Sequence, residues 1–135
     1  MPKVFSSESQ KLGKIGEDVA CNFLKNKGFL ILEQNYTKKW GELDIIAELN
    51  GNLHFIEVKS VSKKNINNVT YETGDYKPED NIHPWKVKRL GRTMQTYLLE
   101  RRVPESKNWQ FDICSVYLDV INRVAKVVHH ENIIL

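Results

Sequence analysis

Hydrophobic and polar positions along the chain follow two different periods. Apolar residues recur at helical spacing from Ser6 to about Lys27 and from about Pro84 to Arg102, which predicts two amphipathic helices. Shorter apolar runs between turn residues predict five strands. These strands are expected at about Phe29–Tyr36, Glu42–Leu49, Asn52–Val61, Trp109–Leu118 and Val124–His129.

The order of the predicted elements is α-β-β-β-α-β-β, which indicates an α/β class with a central mixed β-sheet flanked by helices. No repeat, low-complexity tract or domain linker interrupts this order. The 135 residues are 41% apolar, enough for one hydrophobic core, so we expect a single domain over residues 1–135. Ser6 or Ser7 would cap the first helix, and Gly28 would end it.

Composition excludes several classes of protein. No apolar run approaches the ~20 residues that span a bilayer, and the N-terminal segment does not read as a secretory signal. We therefore expect a cytoplasmic protein that does not associate with a membrane. Cys21 and Cys114 lack the spacing of a disulfide framework or a zinc site and are expected to be reduced core residues. The net charge of +3 does not by itself indicate a nucleic-acid partner.

The pair Asn50-Gly51 separates two of the predicted strands and is a strong signal for a two-residue hairpin turn. Counting back from this turn along both strands places Asp44 directly opposite Glu57. Opposed residues share a face of the sheet, with Cβ atoms ~4.5–5.5 Å apart. Lys59 follows Glu57 by two positions and lies on the same face.

These three charges have two readings. An antiparallel sheet can present a solvated polar face, and Asp44, Glu57 and Lys59 could belong to it. However, the same face also carries Ile46, Leu53 and Phe55. The opposite face is predicted to carry Leu43, Ile45, Ala47, Ile56 and Val58. Strands that are apolar on both faces rarely bury a charge without a partner or a role, which counts against a solvated face. On the pattern alone both readings stay open, and the solvated face is the more frequent one.

The second helix carries a marked excess of positive charge. Its basic residues, set against the single acid Glu100, are His83, Lys86, Lys88, Arg89, Arg92, Arg101 and Arg102. Such clustering is the electrostatic footprint of a phosphate-binding surface, although charge runs are often only solvated helix faces. Further positive charge comes from Lys38 and Lys39 at a turn and from Lys63 and Lys64. Tyr36 and Trp40 could stack on bases or serve as packing residues.

The remaining polar candidates carry less information. Glu17 lies at the edge of the apolar stripe of the first helix, where a solvated carboxylate is the more frequent reading and a side chain that reaches over the sheet to a metal is the alternative. His54 is expected to pack against the core or a helix. No acid or cysteine lies at metal-ligand spacing from His129-His130, so no role is assigned to this pair.

An ordered set of motifs resembles the bacterial YraN-like family of small proteins predicted to be endonucleases. The hairpin residues Gly41-Glu42-Leu43-Asp44 and Phe55-Ile56-Glu57-Val58-Lys59 resemble the Asp…Glu-x-Lys core of restriction-endonuclease-like nucleases. The other matching motifs are Gly13-Lys14-Ile15-Gly16-Glu17, Gly28-Phe29, Asn35-Tyr36, Pro84-Trp85-Lys86 and Phe111-Asp112-Ile113.

The resemblance implies a restriction-endonuclease-like fold and a role for each site residue. Asp44 and Glu57 would ligate Mg²⁺ or Mn²⁺, and Glu17 would complete the metal site. Lys59 would orient the attacking water and stabilise the charged phosphate. These roles agree with the preference of hard cations for carboxylate oxygens.

Three functional hypotheses follow. The leading one is a Mg²⁺-dependent endonuclease that hydrolyses DNA, with branched and flap structures as candidate substrates, and with DNA contacts from Lys38, Lys39, Lys86, Lys88, Arg89 and Arg92. The second is a non-catalytic nucleic-acid-binding module with the nuclease fold. The third is an enzyme similar to Holliday-junction resolvases, which act as dimers. A homodimer surface could involve Trp85, Trp109 and the C-terminal residues Ile133–Leu135.

Overall fold

The computed structural model describes residues 8–62 and 83–135, which form two helices and five strands in the predicted order. The helices are α1 (Glu8–Asn26) and α2 (Pro84–Glu100). The strands are β1 (Leu30–Lys38), β2 (Gly41–Leu49), β3 (Asn52–Ser62), β4 (Trp109–Asp119) and β5 (Val124–His130). The α/β class, the mixed sheet and its flanking helices are confirmed. The predictions for Ser6, Ser7, Lys63 and Lys64 lie outside the described residues.

The five strands form one sheet in the order β1-β2-β3-β4-β5. Neighbouring strands are antiparallel except for β3 and β4, which are parallel. Parallel neighbours need a crossover connection, and α2 lies within the connection between them. The predicted hairpin joins β2 to β3: Asn50 and Gly51 have φ angles of 51° and 81°, and Leu49 pairs with Asn52. Positive φ at both turn residues is why Asn-Gly is favoured in this turn.

Each face of the sheet is covered by one helix. On the first side, called the α1 face, Ala20, Cys21 and Leu24 pack against Ile45, Ala47, Ile56, Cys114, Val116 and Leu118. On the other side, called the α2 face, Leu90, Met94 and Tyr97 pack against Tyr36, Leu43, Ile46, Leu53, Phe55, Phe111 and Ile113. The central strands are therefore buried on both sides, as the apolar pattern of the hairpin predicts. Neither helix among the described residues is long and apolar enough to cross a membrane.

Both helices end in the same type of C-terminal turn. After α1, Phe29 N–H donates to Leu24 C=O and Gly28 N–H donates to Lys25 C=O, each at 3.0 Å. Gly28 has φ of 96°, which completes a Schellman motif at the predicted residue.

The second helix ends two residues earlier than predicted. Val103 N–H donates to Leu98 C=O, and Arg102 N–H donates to Leu99 C=O. Arg102 adopts φ of 51°, the left-handed conformation that glycine usually supplies at this position. Because the sequence has no glycine there, the end of α2 was not visible in the pattern.

Candidate active site

The hairpin ladder stops one residue pair before the predicted Asp44–Glu57 pair. Backbone pairing between β2 and β3 extends from the turn to Ile45 and Ile56. Beyond this pair, the carboxylate of Asp44 accepts a hydrogen bond of 2.8 Å from the backbone N–H of Val58. The Asp44 side chain thus takes the place that a backbone carbonyl would occupy in a continuous ladder. It opens a gap between the two strands without leaving the N–H of Val58 unpaired.

Strand β1 reverses the direction of its side chains beside this gap. Asn35, which lies across from Asp44 in the register, has φ of 52°, a left-handed conformation that Asn tolerates better than most residues. Gln34 therefore contacts Cys21 on the α1 face, while Tyr36 packs on the α2 face. In a regular strand, these two residues would share a face.

The same reversal in β2 corrects one prediction. Leu43 was placed on the face of Ile45, but it packs on the α2 face with Ile46. The reason is that the regular alternation of side chains between the two faces of the sheet is broken between Leu43 and Ile45. Asp44 lies at this break.

Three carboxylates converge at this point. Oxygen atoms of Glu17, Glu42 and Asp44 all lie within 4.8 Å of one another. Helix α1 brings Glu17 there because Gly16 allows a close approach to β3: a Cβ atom on Gly16 would lie 1.8 Å from Oγ and 2.9 Å from Cβ of Ser60. Sequence reasoning included Glu17 and Asp44 in the site but not Glu42. Glu42 precedes Asp44 by two positions in β2, but the strand pattern gave no sign that Glu17 would lie beside both.

Glu57, on the neighbouring strand β3, is held by two lysines. The Nζ atom of Lys86 lies 2.7 Å from Oε1 of Glu57, and the Nζ atom of Lys59 lies 3.5 Å from the same oxygen. The second carboxylate oxygen, Oε2, is buried and has no hydrogen-bond partner among the described residues. Lys86, predicted as a DNA contact, is thus part of the acidic site itself.

The electrostatics of the site reflect crowded negative charge. Burial raises the pKa of Asp44 to about 7, and the charges of Glu57, Glu17 and Glu42 add to this effect, while the hydrogen bond from Val58 opposes it. Burial also raises the pKa of Glu17, with Glu42 as the next cause. Each carboxylate therefore makes its neighbours harder to ionise unless a positive charge lies between them.

The residues present fit a divalent cation. A buried carboxylate oxygen without a partner costs free energy, and Oε2 of Glu57 is such an oxygen. Glu57 itself lies outside the group of Glu17, Glu42 and Asp44, whose oxygens are within 4.8 Å of one another. Oxygen-only donors of this kind are what Mg²⁺ and Mn²⁺ prefer. Asp44, Glu17 and Glu57 are the predicted ligands, and Glu42 is an additional one that geometry supplies.

The acidic site opens into a cleft of about 310 Å³ between the sheet and α2. Asp44 and Glu57 line one side, and Trp85, Lys86 and Arg89 from the start of α2 line the other. The Arg89 guanidinium lies over the ring of Trp85, 5.0 Å from its centroid, and Trp85 is 57% exposed. Cationic and aromatic groups therefore border the carboxylates directly.

The other predicted DNA contacts differ in whether their side chains already have partners within the protein. Lys38 pairs with Glu100 at 2.7 Å, and the guanidinium of Arg92 lies 3.9 Å from the centroid of the Trp40 ring. Lys39 and Lys88 are exposed. Tyr36, considered as a base-stacking residue, is buried and packs edge-on against Tyr97. It is a packing residue, because no face of its ring is open to a base.

Sequence reasoning missed a buried polar network on the α1 face. His54 Nδ1 and His129 Nε2 lie 2.6 and 2.8 Å from the same oxygen of Asp112. The other oxygen accepts hydrogen bonds from the Gln110 side chain and from the backbone N–H of Asn132. Ligand atoms of His54, Asp112, His129 and Glu131 lie within 4.8 Å of one another, but both oxygens of Asp112 already have hydrogen-bond partners. The signal available was Asp112 itself, an acid in an apolar strand that needs a partner.

Comparisons with known proteins identify one family. The model of the Uncharacterised protein family UPF0102 matches residues 16–116. A UPF0102 protein of Persephonella marina is 41% identical over 104 residues, which cover 77% of this chain and 81% of that protein. A UPF0102 protein of Alkaliphilus oremlandii is 38% identical over 126 residues, 92% of this chain and 97% of that protein. One from Campylobacter lari is 37% identical over 112 residues, 83% of this chain and 88% of the relative. None of these names states an activity.

Proposed function

The chain belongs to the uncharacterised protein family UPF0102, the YraN-like family that its motifs resemble, and we propose that it is a metal-dependent endonuclease that hydrolyses DNA. The observation that carries this proposal is the convergence of Glu17, Glu42 and Asp44 beside Glu57, which two lysines contact. Carboxylates that fit a divalent cation, next to ammonium groups, match the needs of phosphodiester hydrolysis.

Asp44, Glu57 and Glu17 would hold Mg²⁺ or Mn²⁺, with Glu42 as a further ligand. When bound, the cation would polarise the phosphoryl group and lower the pKa of a coordinated water. The protein's own contribution is to fix the carboxylates in place before the cation arrives. The hydrogen bond from Val58 orients Asp44, and the close contact at Gly16 sets the position of Glu17.

Lys59 would act on the phosphate and on the attacking water. Its ammonium lies 3.5 Å from Oε1 of Glu57, and its side chain, 27% exposed, lines a second cavity together with Glu17 and Asp44. An ammonium in a half-buried position stabilises developing negative charge more strongly than one in open solvent. Lys59 also donates hydrogen bonds, so it can orient a water molecule without removing its proton.

The basic start of α2 supports DNA as the substrate. Lys88 and Arg89 lie close to the cleft along the helix, and Arg92 follows one turn later. Phosphate contacts of this kind position a nucleic acid without reading its sequence. The exposed ring of Trp85 beside the carboxylates favours substrates with unpaired bases, such as branched and flap DNA.

The proposal is tested by incubating the purified protein with supercoiled plasmid, single-stranded DNA, flap duplex and four-way junction in Mg²⁺ or Mn²⁺. We expect cleavage of at least one substrate, inhibition by EDTA, and a loss of at least about 10²-fold in rate for Asp44→Asn and Glu57→Gln. Glu48→Gln is the matched control, because Glu48 lies on β2 but pairs with Lys107 at 2.9 Å outside the cleft. Absence of cleavage, or undiminished cleavage by both site variants, would refute the proposal.

A non-catalytic DNA-binding module is the second candidate, and one observation favours it. The Lys86 ammonium already balances Glu57 without a cation. This candidate predicts salt-dependent DNA binding that EDTA, Asp44→Asn and Glu57→Gln leave unchanged, together with no cleavage in the assay above.

A further inference from the structure

Lys86 is held close to the candidate metal site by the start of α2. The helix begins at Pro84, and the backbone N–H of Lys86 donates to the carbonyl of His83 at 2.9 Å. Leu90 and Met94, further along the helix, are buried against the sheet and fix its position. The ammonium of Lys86 can therefore move by rotation of its side chain, while its backbone stays in place.

The contacts of Glu57 are unevenly divided between its two oxygens. Both Lys86 and Lys59 approach Oε1, while Oε2 is buried without a partner among the described residues. Two ammonium groups at one carboxylate oxygen repel each other. Burial and the proximity of Lys86 together lower the pKa of Lys59. Two ammonium groups therefore surround a single carboxylate, so the positive charge next to Glu57 exceeds the negative charge of Glu57 itself.

A divalent cation would change this balance. A dication at Oε2 of Glu57 would lie close to the Lys86 ammonium at Oε1 of the same carboxylate, and the two positive charges would repel each other strongly. The four-carbon stem of lysine is flexible and would carry the ammonium toward the cleft, where Arg89 lies one helical turn away. A phosphate group entering between Lys59, Lys86 and the cation would satisfy all three charges.

We propose that Lys86 is a second catalytic lysine. Its ammonium holds Glu57 in the metal-free protein and moves, by rotation of the side chain, to contact an oxygen of the scissile phosphate once a cation occupies the carboxylates. This inference rests on the proposed endonuclease function for its second step only. The first step, competition between Lys86 and the cation for Glu57, is a property of the protein alone and can be measured without DNA.

The test compares Lys86→Gln with Lys107→Gln. Lys107 is a close match, because its ammonium also pairs with a glutamate, at 2.9 Å, and its side chain is 26% exposed compared with 27% for Lys86. It lies outside the cleft. Mn²⁺ binding to DNA-free protein is measured by isothermal titration calorimetry, and cleavage is measured under single-turnover conditions at saturating DNA.

We expect Lys86→Gln to bind Mn²⁺ about 3- to 10-fold more tightly than the wild type, because a competing half-exposed ion pair is removed. We also expect its cleavage rate to fall about 10²-fold. Lys107→Gln should change neither quantity by more than about twofold. Lys86→Arg should restore part of the rate, because it keeps the positive charge.

Three outcomes would overturn the inference. Mn²⁺ affinity that is unchanged or weaker in Lys86→Gln would exclude competition for Glu57. A normal cleavage rate in Lys86→Gln would exclude the contact with the phosphate. Equal effects of Lys86→Gln and Lys107→Gln would show that Lys86 acts only as a surface charge. If the wild type cuts no DNA at all, the endonuclease proposal fails, while the Mn²⁺ measurement still decides the first step.

Discussion

Asp44 combines two properties that oppose each other in a folded protein: it lies partly buried beside other carboxylates, and it would have to be ionised to hold the proposed cation. Its pKa of about 7 lies well above the ordinary value of 3.8. The folded state therefore binds the Asp44 proton more tightly than the unfolded state does. Without metal, this group lowers the stability of the protein progressively as the pH rises from about 4 to about 7.

Asp44→Asn should therefore stabilise the metal-free protein at pH 8, by about 1–2 kcal/mol in the free energy of unfolding. The amide oxygen of Asn can still accept the hydrogen bond from Val58, so only the charge is lost. Urea unfolding in EDTA at pH 5 and pH 8 measures this effect, with Glu48→Gln as the control. A destabilised Asp44→Asn variant at pH 8 would indicate a structural role for this carboxylate.

Asp112 is an acid with the opposite shift. Burial raises the pKa of Asp112, but hydrogen bonds from His129, the Asn132 N–H, Gln110 and His54 outweigh burial and lower it to about 2. Its stabilising contribution is therefore fully present above its ordinary pKa of 3.8 and is lost as the pH falls towards 2.

We expect Asp112→Asn to lower the free energy of unfolding at pH 7 by about 3 kcal/mol, because it breaks a buried charge network. The difference between variant and wild type should shrink between pH 4 and pH 2, as measured by urea unfolding. The Mn²⁺ affinity of the variant should stay normal, because the network lies outside the cleft. A difference that does not depend on pH would contradict this account.

At the scale of elements, periodicity and turn chemistry predicted most of the fold. The Asn-Gly turn gave the β2–β3 register, and Gly28 gave the end of α1. The pattern could not predict where residues other than glycine adopt a left-handed backbone conformation, which costs them free energy. Arg102 ends α2 in this way, and Asn35 lies where the faces of β1 reverse.

The candidate site was predictable where it depends on register and not where it depends on packing between elements. Asp44, Glu57 and Lys59 follow from one hairpin, whereas the helix pattern offered Glu17 only as one of two readings and the family resemblance gave it a role in the site. Glu42 was missed because the strand pattern gave no sign that Glu17 would approach it from α1. The contact of Lys86 with Glu57 was missed because it depends on how α2 lies across the sheet, which no local pattern encodes.

The approach of α1 to β3 makes a prediction about Gly16. In Gly16→Ala, the added Cβ would collide with Ser60, so α1 should shift away from the sheet and withdraw Glu17 from Asp44. We expect Mn²⁺ affinity to fall by about tenfold or more, the worth of one carboxylate ligand. Isothermal titration calorimetry measures this change.

Gly13→Ala is the control on the same helix, because a Cβ at Gly13 meets nothing within 4 Å. It should keep Mn²⁺ affinity and add up to about 1 kcal/mol of stability, since alanine favours helices. The double variant Gly16→Ala/Ser60→Gly removes the collision and should recover Mn²⁺ affinity. Failure of this rescue would show that Gly16 does not set the position of Glu17.

At the scale of the whole molecule, the site assembles from three separate parts of the chain. Helix α1 contributes Glu17, the hairpin contributes Asp44 and Glu57, and α2 contributes Lys86. The two helices lie on opposite faces of the sheet, so they can meet only where the β2–β3 ladder is interrupted. The interruption therefore gives both helices access to one set of carboxylates.

The positive charge of α2 predicts how the proposed DNA binding would depend on salt. Arg89 lines the cleft, so Arg89→Gln should lower the slope of log affinity against log salt concentration by about 1, the value of one phosphate contact. Fluorescence anisotropy in EDTA measures binding without cleavage. Lys25→Gln, at an exposed position in the last turn of α1, removes the same charge and should leave the slope unchanged. Equal slopes for Arg89→Gln and the wild type would place the DNA elsewhere.

The hydrogen bond from Val58 to Asp44 also gives the molecule a natural spectroscopic reporter. An amide proton that donates to a carboxylate resonates at a field that depends on the charge of that carboxylate. Protonation of Asp44 near pH 7, or the arrival of a cation, would change this charge while the surrounding sheet stays in place. A single amide resonance of Val58, followed by NMR during titration with acid or with diamagnetic Mg²⁺, would therefore report the state of the whole site without any label at the carboxylates themselves.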